Sequence, residues 1–264
     1  MSGELALLRS ELAQTRAELR ELRLQLARRD HSPRFAAIYP AFEDRFRGTE
    51  ADVRARLSVY LPDVLSGIRA EQEGPRVLDL GPGRGEWLAL LGEAGVVAAG
   101  VDSNAAMVEQ LRGRGLDVVF GDAAEHLAAT PSGSLDVVTA FHVVEHLDLE
   151  ALLELLAQAC RVLRPGGLLI AETPNPSNLV MGACNFHLDP THRSPVPPAQ
   201  LQFLAAASGF GESRIRELHP KEDVELSGLR LSGVGDGDTA VLAAALQKGL
   251  FGPQDYALLL RTPT

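Results

Sequence analysis

The chain has 264 residues, a net charge of −10 and a pI of about 5.2. This acidity disfavours a nucleic-acid duplex or an anionic membrane as a general partner. Two cysteines without metal-ligand spacing do not indicate a disulfide scaffold and favour a reducing cytoplasm. The charged N-terminus differs from a signal peptide, and no apolar run is long enough to span a membrane. We therefore expect a cytoplasmic protein with one sizeable domain.

Residues 1–30 are predicted to form a coiled-coil helix, because apolar residues recur at alternating steps of three and four. The a and d positions hold Leu5, Leu8, Leu12, Thr15, Leu19, Leu22 and Leu26. Glutamate or glutamine occupies the g positions and arginine the e positions, so the helices of a parallel homodimer would attract each other. A single amphipathic helix lying on its own domain is the alternative.

A helical cap is predicted over residues 31–75, with helices at 34–46 and 49–70. Arg45 and Arg47 stand beside aromatic residues in this segment. They form either a solvated helix end or part of a lid in which an arginine contacts a carboxylate of the ligand. We assign that contact to Arg47 and place it among the cofactor-binding residues.

Strands and helices alternate from residue 76 onward, which predicts one domain over 76–264. Strands are expected at 76–80, 96–102, 117–121, 135–141, 168–173, 211–218 and 255–261. The alternation predicts an α/β fold with a mainly parallel sheet and helices on both faces. Insertions are expected near 174–198 and 221–250. The first is predicted to be a long loop without regular structure, and a loop of that length in a compact domain is usually functional.

A turn with three glycines follows the first of these strands and begins a helix. Asp79 precedes Gly81, Gly83 and Gly85, whereas a dinucleotide site would need its third glycine at Glu86. Glycine lets the backbone approach a ligand without a Cβ, and the N–H groups at a helix start attract polar groups. The turn therefore predicts a ligand site, although an ordinary strand-to-helix turn can have the same pattern.

Polar or aromatic residues end the next three strands. Asp102 can accept both hydroxyls of a ribose, or it can cap a helix, a task that a neighbouring Ser or Asn could also perform. Asp122 can accept from an adenine amino group, with the backbone of Ala123 completing the pairing, and Phe141 can flank the adenosyl group. Because these strand ends meet at one edge of a parallel sheet, the set predicts a nucleoside site.

Residues 76–173 resemble the core of the class I S-adenosylmethionine-dependent methyltransferases. The glycine turn matches their first motif, and Asp102, Asp122 and the segment 141–146 match the next three. The resemblance implies a Rossmann-like, seven-stranded sheet whose last strand inserts antiparallel beside the strand at 211–218. It also implies S-adenosylmethionine as the cofactor.

Segments 42–48, 172–178 and 185–192 resemble the methyltransferase domain of O-antigen chain-terminating enzymes and related bacterial glycan methyltransferases. This resemblance covers about residues 36–212 and implies a saccharide acceptor. The chain terminators carry a kinase domain for which this sequence has no room, so a sugar hydroxyl is preferred over a terminal phosphate. The alternatives are another small molecule, such as a quinone, and a non-catalytic coiled-coil scaffold.

A sugar hydroxyl is a poor nucleophile at neutral pH, so methyl transfer to it needs a base or a metal. His142, Glu145 and His146 lie on the turn after the fourth strand. We predict His146 as the base, with Glu145 orienting it or sharing a metal, and His142 as a further catalytic residue that binds the acceptor.

The histidines of the long loop have a substrate role in this prediction. His187, Asp189 and His192 are expected to bind the acceptor, although the two histidines could merely satisfy loop backbone. Similarly, His146 could cap the helix that follows. Glu145 and His146 with a distant histidine also resemble the metal site of the small-RNA 2′-O-methyltransferases, which have a glutamate at the position of His142. Since imidazole and carboxylate can jointly hold a divalent ion, Mg²⁺ is an alternative.

Overall fold

The computed structural model describes residue 14 and residues 33–68, 76–221, 224–233 and 235–264. Met1–Thr49 forms one compact unit and Glu50–Thr264 a second. Apart from residue 14, the predicted coiled coil falls outside the described part of the chain, so the heptad interpretation and the homodimer stay predictions.

The first unit contains helix α1, Pro33–Phe46, close to the predicted 34–46. On this helix the centroid of the Phe42 ring lies 5.8 Å from that of Tyr39 and 4.7 Å from that of Phe46. Just after the helix, a guanidinium nitrogen of Arg47 lies 3.1 Å from a carboxylate oxygen of Glu43. Arg47 therefore has a local partner, and its contact with a cofactor stays a prediction.

The second unit begins with a broken helical segment. It consists of α2, Glu50–Leu57, a 3₁₀ turn, Ser58–Tyr60, and α3, Leu61–Gly67, where the sequence predicted one helix over 49–70. Pro62 explains the break, because proline has no N–H for the carbonyl four residues earlier and is favoured in the first turn of a helix.

A mixed sheet forms the centre of the second unit. Its strands are β1 Val77–Leu80, β2 Ala98–Asp102, β3 Val118–Phe120, β4 Leu135–Phe141, β5 Leu163–Pro174, β6 Glu212–Leu218 and β7 Asp255–Arg261. They lie in the order β3-β2-β1-β4-β5-β7-β6. Strands β1 to β5 pair in parallel, whereas β7 runs antiparallel to both β5 and β6. The predicted Rossmann-like, mainly parallel sheet with an antiparallel last strand is confirmed.

Helices connect the strands and cover both faces of the sheet. They are α4 Glu86–Glu93, α5 Ala105–Gly113, α6 Ala123–Ala129, α7 Leu149–Val162, α8 Leu179–Ala183, α9 Pro198–Ala207 and α10 Asp236–Phe251. Adjacent strand residues point to opposite faces, so Val138 belongs to a core with α7 and α9, and Val137 to a core with α3 and α4. Within the described ranges, no helix is sufficiently long and apolar to cross a membrane.

Two segments differ from the sequence prediction. Strand β5 begins at Leu163 rather than 168, because Leu163 already pairs with Leu135 before a register shift in the β4–β5 ladder. The long segment at 174–198 was predicted to lack regular structure, but it contains α8 and a 3₁₀ turn, Asn185–Leu188. Asn178 caps α8 with its side-chain oxygen, so a polar residue that is typical of a loop also begins a helix.

Candidate active site

The glycine turn joins β1 to α4 at the carboxyl edge of the sheet. Asp79 of β1 is buried, and its Oδ1 accepts a 2.6 Å hydrogen bond from the Thr139 hydroxyl of β4. Burial raises the pKa of Asp79 to about 7. Asp79 therefore links β1 to β4 close to the turn. It is a buried carboxyl group whose hydrogen-bond partner is an uncharged hydroxyl.

The glycines of this turn serve two purposes. Gly81 has a φ of +66°, and a Cβ there would lie 3.0 Å from a methyl group of Val143. Gly85, with a φ of +84°, would bring a Cβ within 2.6 Å of Leu111 and 2.7 Å of Leu116. Gly85 is thus required for the packing of α4 onto α5, while Gly81 shapes the turn at the sheet edge, where Gly83 also has a positive φ.

Asp102 ends β2 and is partly exposed. Its Oδ1 accepts a 2.7 Å hydrogen bond from the backbone N–H of Asn104. The side chain of Asn104 caps α5 by accepting from the amides of Ala106 and Met107. The capping alternative that the sequence left open for Asp102 is therefore fulfilled by Asn104.

Asp122 follows β3 and is exposed. Its Oδ1 accepts a 2.9 Å hydrogen bond from the amide of Glu125, so Asp122 is the N-cap of α6 and Ala123 is the first residue of that helix. This contact gives Asp122 a structural role. The pairing of Asp122 and Ala123 with an adenine stays a prediction.

Phe141 ends β4 inside an aromatic cluster. Its ring centroid lies 5.1 Å from that of Tyr60 and 5.4 Å from that of Trp87, and its side chain is buried. These contacts place Phe141 in the core next to the site. Its contact with an adenosyl group stays a prediction.

His142 is held between two carboxylates. Its Nδ1 lies 3.1 Å from Glu145 Oε1, and its Nε2 lies 3.3 Å from Glu172 Oε1. Ionised carboxylates only accept hydrogen bonds, so both ring nitrogens must donate. Burial lowers the pKa of His142, but the bonds to Glu145 and Glu172 outweigh it and raise this pKa to about 10. An imidazolium has no lone pair that could take up a proton. This favours a role for His142 in positioning Glu145 and Glu172 over the predicted catalytic role.

Glu145 is the buried carboxylate that joins the turn to its surroundings. Its Oε1 contacts His142, and its Oε2 accepts a 2.9 Å hydrogen bond from the Thr173 hydroxyl. Burial raises the pKa of Glu145, but the hydrogen bond and charge of His142 outweigh it and lower this pKa to about 2. The backbone carbonyl of Glu145 accepts from the Arg193 amide at 2.9 Å, which ties the long loop to this turn.

Three polar residues around His142 are not among the predicted site residues, namely Tyr60, Glu172 and Asp255. The Tyr60 hydroxyl donates to Glu172 Oε2, and Asp255 Oδ2 lies 2.9 Å from Nδ1 of His219. His142, Glu172 and Asp255 each offer a ligand atom, and these atoms lie within 4.8 Å of one another. An acidic residue at the carboxyl end of a buried strand, as in β5, is the signal that could have identified Glu172.

His146 lies at the end of the 3₁₀ turn Val144–His146 and is not a helix cap. Asp148 caps α7, since its Oδ1 accepts from the Ala151 amide. Nδ1 of His146 lies 3.0 Å from Thr191 Oγ1, and the Thr191 hydroxyl donates its hydrogen to Asp189 Oδ1. Thr191 Oγ1 must therefore accept from Nδ1–H, which leaves the lone pair on Nε2. Burial lowers the pKa of His146, so this imidazole is neutral at physiological pH.

The long loop brings His192 to the same place. The His192 and His146 ring centroids are 4.7 Å apart in an edge-on arrangement. Nδ1 of His192 lies 2.7 Å from the carbonyl of Phe186, and Nε2 lies 3.9 Å from Glu145 Oε1. The alternative that His192 forms a hydrogen bond with the loop backbone therefore holds for Nδ1, but it does not explain Nε2.

Asp189 and His187 have different surroundings in this loop. Asp189 is buried. Burial raises its pKa, but the hydrogen bonds from the Thr191 hydroxyl and amide outweigh it and hold the pKa below its usual range. His187 is exposed, and its predicted role in binding an acceptor stays a prediction.

Comparison with known proteins decides the family. A family model described as a methyltransferase domain matches residues 15–211. The chain belongs to this methyltransferase family. It is also similar to the crystal structure of an S-adenosylmethionine-dependent methyltransferase from Archaeoglobus fulgidus, with a TM-score of 0.74 and 37% identity over 85% of this chain and 99% of that chain.

Curated relatives match a shorter part of the chain. A probable S-adenosylmethionine-dependent methyltransferase from Mycolicibacterium smegmatis is 34% identical over 139 residues, which are 52% of each chain. A ubiquinone biosynthesis O-methyltransferase from Thiobacillus denitrificans is 30% identical over 113 residues, covering 40% of this chain and 47% of the relative. The chain spans about half the length of these two relatives.

S-adenosylmethionine fits the edge formed by β1, β2 and β4. Gly81 has a positive φ that side chains rarely adopt, and a Cβ there would lie only 3.0 Å from a methyl group of Val143. The partly exposed Asp102 carboxylate ends the adjacent strand. A glycine turn beside a strand-end carboxylate is the arrangement that recognises a nucleoside at this edge of an α/β sheet. The family and the residues therefore agree on the cofactor, which Asp79, Gly81, Gly83 and Asp102 would hold.

Proposed function

We propose that the protein transfers a methyl group from S-adenosylmethionine to a hydroxyl of an oligo- or polysaccharide. The observation that carries this proposal is the state of His146. Its Nδ1–H donates to Thr191 Oγ1, whose own hydrogen goes to Asp189, so the lone pair of the ring is on Nε2. Strand β4 lies next to β1, and the glycine turn follows β1.

Methylation of a hydroxyl requires the removal of one proton. The bound cofactor supplies the methyl group at its sulfonium, which leaves as a neutral thioether with the electron pair of the broken C–S bond. The protein must orient the acceptor oxygen and take up the hydroxyl proton. His146 serves that step at Nε2 as the proton acceptor. If a cation were bound, the same nitrogen would hold it, and the cation would make the hydroxyl more acidic. Either role uses the same nitrogen and leaves Glu145 ionised beside it.

The polar loop favours a sugar as the acceptor. In this loop the Thr191 hydroxyl donates a hydrogen bond to Asp189, and Nε2 of His192 lies 4.0 Å from the Asp189 carboxylate. The neighbouring Phe186 is buried. Sugars are bound through hydroxyl contacts to such side chains, whereas a quinone would need an aromatic cavity. The ubiquinone O-methyltransferase among the relatives supports oxygen as the methylated atom and keeps a quinone as the second candidate.

A methyl-transfer screen tests the acceptor class. The chain is incubated with S-adenosylmethionine labelled in the methyl group and with mono- and oligosaccharides, hydroxylated quinones and glycans ending in phosphate. Label in a saccharide as an alkali-stable methyl ether is expected. Label in a quinone alone, or in a phosphate ester alone, contradicts the saccharide.

Calorimetry with S-adenosylhomocysteine separates this proposal from a non-catalytic scaffold. An enzyme of this type binds its product, so a saturable heat with one site per chain is expected. Absence of binding at millimolar ligand would favour the scaffold, in which the coiled-coil segment rather than the site is the functional part.

A further inference from the structure

The carboxyl edge of the sheet has a second half, which is formed by β5, β6 and β7. Strand β7 runs antiparallel to both of its neighbours, and its first residue, Asp255, pairs with Pro174 of β5 and with Leu218 of β6. The ends of β5 and β6 and the start of β7 therefore lie in one row. Because the cofactor is assigned to β1, β2 and β4, this half of the edge is left for the acceptor.

His219 directly follows β6 and has an unusual backbone conformation. Its φ is +54°, and within the described ranges His142 is the other non-glycine residue with a positive φ. The carbonyl of His219 accepts a 3.1 Å hydrogen bond from the side-chain amide of Gln254, whose backbone amide donates to Leu218 at 3.0 Å. A left-handed residue persists only where its surroundings enforce it, and such residues cluster at functional sites.

Asp255 orients the ring of His219. Nδ1 of His219 lies 2.9 Å from Asp255 Oδ2, and an ionised carboxylate only accepts, so Nδ1 carries the hydrogen. None of the residues that the structure describes forms a hydrogen bond with Nε2. The side chain of His219 is 22% exposed and that of Asp255 is 12% exposed. The pair therefore presents polar atoms to a ligand at this half of the edge.

The charges around Asp255 favour an uncharged ligand. Asp255, Glu172 and His142 each have a polar atom within 4.8 Å of the others. The imidazolium of His142 is already shared by Glu145 and Glu172, at 3.1 Å and 3.3 Å, so it does not neutralise Asp255 as well. A phosphate at this place would be repelled by the carboxylate. A hydroxyl can donate to the carboxylate and to a bare imidazole nitrogen.

The segment before Asp255 also anchors the long loop that is expected to bind the acceptor. The backbone amide of Asn175 donates to the carbonyl of Gln254 at 2.8 Å. The side-chain amide of Asn178 donates to the carbonyl of Gly252 at 3.0 Å. The loop therefore begins directly beside Asp255, which brings its first residues and the Asp255–His219 pair to one ligand.

We propose that His219 and Asp255 form an acceptor subsite that binds two hydroxyls of an uncharged sugar residue. Asp255 accepts a hydrogen bond from one hydroxyl, and Nε2 of His219 accepts from a neighbouring hydroxyl. The subsite rests on the proposed saccharide acceptor and extends it, because it specifies the charge of the sugar and adds two residues outside the long loop. It acts on the affinity for the acceptor, since neither residue takes up the proton.

His219→Asn tests the subsite most selectively. Asparagine tolerates a left-handed backbone. Its side-chain nitrogen is as many bonds from the backbone as Nδ1, so a donor to Asp255 is kept and Nε2 is lost. Methyl transfer is measured at saturating S-adenosylmethionine with the methyl glycosides of glucose, galactose, mannose and N-acetylglucosamine. For the saccharide with the highest rate, we expect KM to rise about 10-fold, the scale of one lost hydrogen bond that leaves its partner unpaired, and kcat to stay within about threefold.

Asp255→Asn and Lys221→Ala complete the test. Asp255→Asn should raise KM at least as much, and it should reduce the preference of the wild type for the methyl glycoside over the corresponding sugar 1-phosphate. Lys221→Ala removes an exposed side chain two positions beyond His219 and should leave KM unchanged.

Two different failures can be told apart. An unchanged KM in His219→Asn, or a wild-type preference for the sugar phosphate, overturns the subsite while methyl transfer to a saccharide stands. Absence of methyl transfer to every saccharide in the wild type contradicts the proposed function and the subsite together. If Asp255→Asn does not fold, His219→Asn alone decides.

Discussion

His142 and His146 lie four residues apart on one turn, yet their surroundings give them opposite properties. His142 contacts an ionised carboxylate with each ring nitrogen and is held as a cation. His146 and His192 bind a neutral oxygen through Nδ1. The hydrogen-bond partners of the two ring nitrogens therefore decide the role of a histidine beside Glu145. A histidine between two carboxylates stabilises buried charge, whereas one bound only through Nδ1 to a neutral oxygen keeps a lone pair on Nε2.

The largest effect is expected from His146→Ala, which removes the proposed lone pair at Nε2. Turnover should fall by about 10²–10⁴-fold, the usual scale for losing a group that assists proton removal. Affinity for S-adenosylhomocysteine should stay within about twofold. Radiometric turnover and calorimetry on the same preparation measure both quantities. Near-normal turnover would remove His146 from the mechanism.

His142→Ala should act mainly on stability. It leaves Glu145 and Glu172 buried without their shared cation, and breaking a buried pair typically costs about 3–5 kcal/mol. We expect a drop of this size in the free energy of unfolding, measured in urea at pH 7. His192→Ala is the comparison, since its nearest carboxylate oxygen is 3.9 Å away, and it should cost clearly less. Equal losses in the two variants would contradict the distinction.

Asp79 and Glu145 extend the comparison to carboxylates. Both are buried and accept a threonine hydroxyl, from Thr139 and Thr173. The pKa of Asp79 is raised to about 7 and that of Glu145 is lowered to about 2, because only Glu145 has the imidazolium of His142 as a partner.

The raised pKa of Asp79 gives a pH dependence with a defined sign. The unfolded chain ionises Asp79 near pH 3.8 and the folded protein near pH 7, so stability is lost as the pH rises through this window. Asp79→Asn cannot ionise and should not show this loss. Between pH 5 and pH 8 the wild type should lose about 3 kcal/mol more than Asp79→Asn in urea unfolding. Parallel pH profiles for the two proteins would refute the assignment.

Gly81→Val should have the smallest effect of the set and act on the cofactor. A branched side chain at a φ of +66°, 3.0 Å from Val143, strains the turn by about 1–3 kcal/mol. We expect roughly 10-fold or greater loss of S-adenosylhomocysteine affinity. Gly95→Ala, also at a positive φ but with open space around it, controls for backbone strain alone. Normal affinity in Gly81→Val would show that this turn does not hold the cofactor.

Much of the fold could be predicted from the sequence, because its signals are local. The apolar run of β4, the glycine turn after Asp79 and the strand-end Asp102 each occupy a few consecutive residues. The break at Pro62 and the helix at Leu179–Ala183 were missed, since apolar periodicity does not distinguish a short helix from a structured loop.

The chemistry of the candidate site was less predictable, because it depends on distant contacts. Tyr60 meets Glu172 across 112 residues, and Thr191 meets His146 across 45. Sequence indicated the histidines and Glu145, but not which nitrogen of each ring is bound. The bound nitrogens distinguish His142 from His146, and for His146 they depend on the contact with Thr191 of the folded loop.

Nitrogen-15 NMR of the histidine rings at pH 8 tests the central distinction most directly. The signals of His142 and His146 are assigned from His142→Gln and His146→Ala spectra. We predict that both nitrogens of His142 carry a proton and that His146 carries its proton on Nδ1, with a bare Nε2. A neutral His142, or a His146 that is protonated on Nε2 with a bare Nδ1, would contradict this description of the site.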